Sequence, residues 1–295
     1  MRWGRGYFAA QAAAGAVWWV AVFTVPFVRD ATLGSVDPVA VAAFDVPLFV
    51  LASAVAAFGI RPAEWIATGW TVLVALALAG YATVTNEAGW GVLLMGAAAG
   101  ASLLALCLVV RGRIPTEWIV AGPFGFKLAA PGPGHAAATA VQIVVMWGIF
   151  LGILPAIIAG VEGWWGVSIP LPVLLGPVGI VLLVLASGLG IWSAATMSVL
   201  GDGTPLPSAM PNKLVIAGPY RFIRNPMAVA GIVQGAAVGL ILGSWLVVVY
   251  ALLGSLLWNY AVRPHEERDL ESRFGAEYTR YRDSVRCWIP GLPAG

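Results

Sequence analysis

Two groups of polar side chains could do chemistry in this otherwise apolar sequence. The first contains Arg221, Arg224 and Asn225, in the motif Gly-Pro-Tyr-Arg-Phe-Ile-Arg-Asn-Pro-Met. The second is a pair of neighbouring carboxylates, Glu266 and Glu267, which follows a long apolar run. Guanidinium groups bind carboxylates and carboxylates bind amines, so the two groups together could hold a zwitterionic ligand. Acidic groups beside hydrocarbon are costly unless they are paired or face a wet cavity, which predicts that both groups share one pocket.

The composition places these groups in a membrane protein. The chain has 295 residues, of which 60% are hydrophobic and 10% are charged. Soluble domains carry roughly 25% charged residues, so a chain this apolar cannot bury its surface in a single aqueous core. A net charge of +2 and the lack of a basic run with interleaved aromatics exclude a nucleic-acid partner.

The elements that must position the polar groups are long apolar segments. They predict an all-α fold, a polytopic membrane helix bundle of about eight transmembrane helices with a cytoplasmic C-terminal helix. The first segment is longer than the apolar core of a secretory signal and no small-x-small site precedes Arg29, so it is interpreted as a span. The predicted spans are Tyr7–Val28, Val39–Ile60, Trp65–Thr85, Gly89–Val110, Ala136–Gly160, Leu171–Leu200, Pro226–Gly243 and Ser244–Val262.

The distribution of cationic residues predicts the orientation of the spans. With eight spans and both termini on the cytoplasmic side, every Lys and Arg except Arg29 falls in a cytoplasmic segment. Removing or adding one span would move all later cationic clusters to the other side. The loop 201–227 and the C-terminal tail are therefore expected on the same, cytoplasmic face of the membrane.

The tail is predicted to form a helix over residues 264–284. Leu270, Phe274, Tyr278 and Tyr281 form one apolar stripe at helical spacing, and such a stripe should dock on another part of the protein. Gly275 lies inside the pattern and weakens a helix by about 1 kcal/mol relative to Ala, which predicts a bend there. The simpler alternative is a helix that lies on the membrane surface with a solvated charged face.

Taken together, these segments resemble a known enzyme family. The run GDGTPLP, then LVIAGPYRFIRNPM, a helical hairpin and HEERDLESRFGAEYTRYRDSVRCWIP are similar to the isoprenylcysteine carboxyl methyltransferase and phospholipid methyltransferase superfamily of integral membrane enzymes. The bacterial branch is the most similar, which implies a multi-pass protein of the bacterial inner membrane. The resemblance covers about Ala136–Pro290, and the first four spans lie outside it.

The resemblance implies S-adenosylmethionine as the methyl donor, held in a cytoplasm-facing pocket. Glu266 and Glu267 match the paired glutamates, one for the amine of the cofactor and one for an arginine or the substrate. The acceptor is left open between a carboxylate, which needs no base, and an amine, which must first lose a proton. The catalytic residues implied are Arg221, Arg224, Asn225, Glu266 and Glu267; the cofactor-binding residues are Leu214, Val215, Gly218, Tyr220, Arg224, Asn225, Pro226, Gly231, Gln234, Glu266 and Glu267. No metal site is expected, because only two histidines are present.

The domain organisation follows from the same boundaries. Residues 1–115 form a four-helix membrane region of unknown role, residues 116–135 a cytoplasmic connector, and residues 136–295 a methyltransferase-like domain. The expected partners are membrane lipids and a lipid or lipophilic substrate, and small-residue helix faces such as 96–100 could also join two copies of the chain into a homo-oligomer.

Two functions from other classes compete with the methyltransferase. Sterol reductases resemble the same superfamily and use a nicotinamide cofactor, so an NADPH-dependent membrane reductase is one. A non-enzymatic membrane module, such as a transporter or a scaffold, is the other. Its weakness is that Asp45 is the only ionisable residue expected inside a span.

Overall fold

The structure is a computed structural model that describes residues 2–119, 121, 125–130 and 134–291. In these ranges the chain forms helices joined by loops, with one isolated bridge between Leu128 and Met210. The connector expected at 116–135 lies partly outside the described residues. The long helices are Arg2–Thr24, Pro38–Ala57, Arg61–Thr85, Gly89–Arg111, His135–Trp164, Leu175–Leu200 and Trp245–Ser284, and the shorter ones are Pro26–Leu33 and Pro226–Leu242.

Seven of these helices are long and apolar enough to cross a membrane, and Pro226–Leu242 is a shorter apolar helix beside them. The predicted fold class, an all-helical polytopic membrane bundle, is confirmed. The predicted first span ended too late at Val28, because Pro26 stops the helix at Thr24 and starts the short helix Pro26–Leu33. Proline removes a backbone donor and crowds the preceding turn, which breaks a helix at such a position.

The chain divides into two compact units. The first contains the residues up to Pro115 together with Val161–Val167, and the second contains Thr116–Gly160 and the residues from Ser168 onward. In the first unit, Phe8 and small side chains from three further helices form an apolar core. A buried polar network accompanies it: Gln11 donates to the hydroxyl of Ser53 and accepts from that of Ser102, at 3.0 and 2.7 Å.

In the second unit, small residues allow the helices to pack closely. Helices Leu175–Leu200 and Pro226–Leu242 approach so tightly that a Cβ at Gly179 would lie 2.8 Å from the backbone oxygen of Ala237. Helix Pro226–Leu242 then turns at Gly243, with φ +64°, into the last helix. Small residues at membrane helix interfaces permit this approach of one backbone to another.

The last helix runs from the apolar part of the chain into the charged tail. Residues Trp245–Leu257 are α-helical, Trp258–Val262 form a π-helical segment, and the α-helix Arg263–Ser284 follows directly. The helix predicted over residues 264–284 is therefore present, with Pro264 in its first turn, and it continues from the last span. The bend predicted at Gly275 is present, because this residue has φ +50° and ψ −124° inside the helix.

Candidate active site

The loop 201–227 is held in shape by its own backbone hydrogen bonds. The amides of Asn212 and Lys213 both donate to the backbone oxygen of Gly201, at 2.8 and 3.0 Å. The side-chain amide of Asn212 also donates to the backbone oxygen of Asp202 at 2.7 Å. These bonds bring the two ends of the segment 201–213 together. The chain therefore enters the Arg-Asn-Pro motif from a fixed direction.

Two glycines in this loop are required by close contacts. A Cβ at Gly203 would lie 2.5 Å from the Cα of Pro211 and 2.7 Å from the oxygen of Met210. Gly218 has φ +56°, and a Cβ there would lie 2.8 Å from the hydroxyl of Thr196. A side chain at either position would thus displace the loop from its packed position.

The apolar stripe of the tail docks on this loop, which confirms the expectation that it would dock. Tyr278 and Tyr281 are buried in one cluster with Val215 and Tyr220, and Leu270 and Phe274 pack against it. The hydroxyl of Tyr281 donates to the backbone oxygen of Tyr220 at 2.8 Å. Helix Trp245–Ser284 and the loop therefore form a single packed layer.

This packing brings one arginine of the loop to a glutamate of the tail. A terminal guanidinium nitrogen of Arg224 lies 3.4 Å from the carboxylate of Glu267. Arg263, one turn before Glu267 on the same helix, lies 3.3 Å from the same carboxylate oxygen. All three side chains are at most 25% exposed. A carboxylate between two guanidinium groups cancels part of their charge.

The segment after the last helix returns to the loop and holds the backbone of Arg224 in place. The amide of Arg224 donates to the backbone oxygen of Arg286 at 3.0 Å, and the amide of Gly291 donates to that of Phe222 at 3.0 Å. The thiol of Cys287 accepts a hydrogen bond from the side-chain amide of Asn225 at 3.2 Å. The backbone around Arg224 and Asn225 is thereby anchored to the C-terminal segment.

These elements surround a cavity of about 600 Å³. Its polar lining residues are Lys213, Tyr220, Arg224, Asn225 and Glu266. Its apolar wall comes from the connector, the loop and the helices His135–Trp164, Leu175–Leu200 and Trp245–Ser284. Its side chains include Phe126, Met146, Phe150, Met197, Trp258 and Val262. A cavity of this size with a few polar groups is typical of a small-molecule site.

Glu266 is the acidic group that faces this cavity. Burial, followed by the neighbouring carboxylates of Glu267 and Asp269, raises the pKa of Glu266 to about 7, against the opposing charge of Arg273. No ion pair of Glu266 occurs within the described residues, in contrast to Glu267. Glu266 is therefore a carboxyl group that can change its protonation state near neutral pH.

Tyr220 contributes a hydroxyl group that lacks a partner. The residue is 5% exposed, and its hydroxyl forms no hydrogen bond with any part of the chain that the structure describes. Burial, followed by the charge of Glu266, raises the pKa of this phenol, so it stays protonated. A buried polar group without a hydrogen-bond partner costs about 1–3 kcal/mol, so this hydroxyl lowers the stability of the folded protein.

The structure gathers some of the predicted site residues and separates others. Arg221 is exposed. The exposed Gly231 has open space around it, and Gln234 is buried with its amide donating to Ser187 at 3.0 Å. Gly218, Arg221, Gly231 and Gln234 do not line the cavity, and Glu267 reaches it only through Arg224. The predicted residues that do line it are Leu214, Val215, Tyr220, Arg224, Asn225, Pro226 and Glu266.

Sequence reasoning missed the apolar wall and the C-terminal contacts. Phe126 belongs to the connector, which the sequence indicated only as a boundary, and Met146 and Phe150 belong to a span that carries no polar signal. Cys287 stands near the C-terminus in no pattern that indicates a role. Arg263 donates a hydrogen bond to this thiol at 3.5 Å, and the spacing of the two residues in the sequence does not predict that contact.

The helical fold and this cavity define a polytopic membrane protein with a partly polar, partly apolar small-molecule site. Residues 175–277 match the family model described as phospholipid methyltransferase. That segment contains both the Arg-Asn-Pro loop and Glu266-Glu267. The match confirms, over these residues, the resemblance to phospholipid methyltransferases.

Two further comparisons complete these findings. A solved structure of the eukaryotic intramembrane Ras methyltransferase, isoprenylcysteine carboxyl methyltransferase, is similar with 18% identity and a TM-score of 0.36, over 98% of this chain and 97% of that one. No curated protein matches the chain.

Proposed function

We propose that the protein is an integral membrane methyltransferase that uses S-adenosylmethionine and acts on a lipid or lipid-like acceptor. The observation that carries the proposal is that the segment matching the phospholipid methyltransferase family contains both the loop and the part of the tail that supply polar groups to one cavity. The loop supplies Arg224 and Asn225, the tail supplies Glu266, and all three line the same space.

The chemistry of the lining residues fits the proposed cofactor. S-adenosylmethionine, when bound, supplies a methyl group on a positively charged sulfur. A carboxylate at Glu266 suits the amine of its amino-acid part, because Glu266 has no ion pair among the described residues. The Nε of Arg224 is buried without a hydrogen-bond partner in the described structure, so it suits a carboxylate. A cavity of about 600 Å³ is within the range of ligand sites, which runs from about 300 to 1,000 Å³.

The remaining residues act by positioning. Glu267 holds Arg224 and Arg263 together, and the backbone bond to Arg286 fixes the start of the Arg-Asn-Pro turn. The cluster around Tyr278 keeps the tail on the loop, which excludes water from one side of the cavity. Alignment and exclusion of water are the main contributions that methyl transfer to an ionised nucleophile requires.

The apolar wall supports a lipophilic acceptor. Met146, Phe150 and Trp258 lie on helices that are long and apolar enough to cross a membrane, and all three line the cavity. An acceptor with an apolar chain could lie against them and present its polar end to Glu266 and Arg224. If that end is an amine, Glu266 is the group that can take its proton, because its pKa is about 7.

The proposed location follows from the charge distribution in the sequence. Both termini and the cavity would lie on the cytoplasmic side of a bacterial inner membrane, where Lys and Arg concentrate. The partners would be membrane lipids and the lipophilic acceptor, and small residues on helix faces could also join copies of the chain.

The decisive experiment is calorimetric titration of the purified protein in detergent with S-adenosylmethionine and, separately, with NADPH. Saturable binding of S-adenosylmethionine is expected, and Glu266→Gln and Arg224→Gln should each weaken it at least tenfold, about 1.4 kcal/mol. The matched controls are Glu277→Gln and Arg280→Gln, which remove exposed charges from the helix that carries Glu266. Binding of NADPH alone would indicate a reductase, and binding of neither cofactor would contradict the proposal.

A further inference from the structure

The first unit contains a second cavity, which the proposed function does not use. It has a volume of about 580 Å³ and is lined by residues of the helices Arg2–Thr24, Pro26–Leu33, Pro38–Ala57, Arg61–Thr85 and Gly89–Arg111. Most of its lining side chains are aliphatic or aromatic. All of the lining residues belong to the four-helix region for which neither the family match nor the sequence assigns a role.

Asp45 is the carboxyl group in the wall of this cavity. The residue is 4% exposed, and its two oxygens accept hydrogen bonds from the indoles of Trp19 and Trp70, at 2.9 and 2.7 Å. These donors are neutral, and no Lys or Arg forms an ion pair with Asp45 among the described residues. An ionised acidic group inside a membrane span is costly when it is not paired, so a cation from outside the chain would stabilise the ionised form of Asp45.

Aromatic residues line the same cavity as this carboxyl group. Phe44 precedes Asp45 in the chain, and the indole of Trp70 donates its hydrogen bond to Asp45. Phe49 packs on Gly15, where a Cβ would lie 2.7 Å from the ring. Trp18 lies one turn after Gly15 on the same helix. The aromatic residues of the cavity wall therefore include Trp18, Phe44, Phe49 and Trp70. Aromatic faces attract cations, and sites for quaternary ammonium groups are built from such rings.

The backbone next to Asp45 has an unusual conformation. Residues Val46–Leu51 form a π-helical segment with Pro47 near its start, directly after the α-helical residues Pro38–Asp45. π-helical turns occur mostly as single insertions in α-helices and are frequent at functional sites. Here the insertion changes the direction in which Phe49 projects relative to Asp45, and Phe49 is part of the wall.

The lining also limits the class of ligand. None of the described residues that line the cavity is Lys or Arg, so no side chain there could balance a phosphate. An anionic or zwitterionic lipid head group would leave its negative charge uncompensated. The aliphatic remainder of the wall suits an apolar body attached to the cation.

From the uncompensated Asp45, the aromatic lining residues and the apolar walls, we propose that this cavity binds a lipophilic cation, a hydrophobic amine or quaternary ammonium compound without a phosphate. The carboxylate of Asp45 neutralises the positive charge, and the rings of Trp18 and Phe49, which line the same cavity, contact it through their faces. The site is separate from the proposed methyltransferase cavity, because the two have no lining residue in common.

The test is equilibrium binding of radiolabelled tetraphenylphosphonium to the purified full-length protein in dodecyl maltoside. Saturable binding of one ion per chain is expected, and radiolabelled tetraphenylborate, which has the same shape and the opposite charge, should show no saturable binding when it is titrated separately. Saturable binding of tetraphenylborate as strong as that of tetraphenylphosphonium would overturn the proposal, since the cavity would then select by shape alone. This comparison needs only the unaltered protein.

Two substitutions locate the bound cation. Asp45→Asn keeps the size and the hydrogen-bond acceptor but removes the charge, so binding should weaken at least tenfold, whereas Asp30→Asn removes an exposed carboxylate of the same unit and should leave it unchanged. Ala77→Trp fills the cavity from an exposed position and should abolish binding; Leu76→Trp, which does not line it, is the control. Unchanged affinity in both Asp45→Asn and Ala77→Trp would show that the cation binds elsewhere.

Discussion

The guanidinium of Arg224 and the carboxylate of Glu267 approach to 3.4 Å, and this contact joins the loop 201–227 to the charged part of the last helix. Arg263 approaches the same carboxylate oxygen from the helix itself. Glu267 is therefore shared by two cations, while Glu266 beside it faces the cavity without an ion pair among the described residues. The two adjacent glutamates thus have different environments, and different consequences follow for each.

Removal of Glu267 should destabilise the protein more than removal of Arg263. Glu267→Gln leaves two partly buried guanidinium groups without their anion, whereas Arg263→Gln leaves the contact between Arg224 and Glu267 in place. Breaking a buried pair from one side costs up to about 3–5 kcal/mol, and partial exposure reduces this to about 1–3 kcal/mol here. Thermal unfolding in detergent should give the order of Tm unaltered protein, Arg263→Gln, Glu267→Gln. A lower Tm for Arg263→Gln than for Glu267→Gln would contradict the shared ion pair.

Glu266 should make both stability and cofactor binding depend on pH. Its folded-state pKa of about 7 lies above its ordinary value of 4.5, so the folded protein binds more protons between these values. The stability that this carboxyl group contributes is complete below about pH 4.5 and is lost as the pH rises through about 7. Glu266→Gln should therefore flatten the decrease of Tm between pH 5 and pH 8.

The same titration should affect binding in the opposite direction. If the ionised Glu266 binds the amine of S-adenosylmethionine, the affinity at pH 6 should be on the order of five- to tenfold lower than at pH 7.5. Calorimetry at both values tests this, with Glu277→Gln expected to retain the difference and Glu266→Gln to lose it. An equal affinity at both pH values in the unaltered protein would exclude Glu266 as the amine ligand.

Two tyrosines of the buried cluster should respond oppositely to loss of the hydroxyl group. Tyr281→Phe removes the hydrogen bond to the backbone oxygen of Tyr220, which should cost about 1 kcal/mol. Tyr220→Phe removes a buried hydroxyl that has no partner in the described structure, so the protein should be as stable as before or more stable. Tm in detergent measures both changes. Equal destabilisation by the two substitutions would mean that Tyr220 has a polar partner.

The sequence predicted those parts of the fold that depend on local rules. Hydrophobic runs indicated the membrane helices, and the spacing of Leu270, Phe274, Tyr278 and Tyr281 indicated a face that must be covered. The cost of unpaired charge predicted that an arginine and a glutamate would meet, but not that Arg224 rather than Arg221 would do so. That choice depends on the turn Gly218–Arg221, which leaves Arg221 exposed.

Other parts depend on contacts between distant segments and had no sequence signal. Arg286 contacts the loop through its backbone oxygen, which any residue could supply. Cys287 contacts it through a thiol, and the sequence does not indicate the partner of that thiol. Gln234 carries a polar group near the motif, yet its helix face turns it towards Ser187. A helical period indicates which residues share a face but not which neighbour that face meets.

Gly203 should be essential for the shape of the loop. A Cβ at this position would meet the backbone of Met210 and Pro211, neither of which can move away as a flexible side chain would. Gly203→Ala should therefore lower Tm and weaken S-adenosylmethionine binding together. Gly188→Ala is the matched control, because that glycine lies in the helix Leu175–Leu200 with open space around it. A Gly203→Ala protein with unaltered Tm and affinity would mean that the loop adapts without cost.

The proposed orientation in the membrane can be tested with single cysteines. In a protein in which Cys107 and Cys287 are replaced by Ser, Lys213→Cys lies in the loop 201–227 and Asn86→Cys lies in the turn after the helix Arg61–Thr85. Because Lys and Arg concentrate on the cytoplasmic side, a membrane-impermeant maleimide added to intact cells should label Asn86→Cys and not Lys213→Cys. Inside-out vesicles should reverse the result, and detergent should expose both positions as the control for reactivity. Labelling of Lys213→Cys in intact cells would place the loop on the outer face and would remove the basis for access to a cytoplasmic methyl donor.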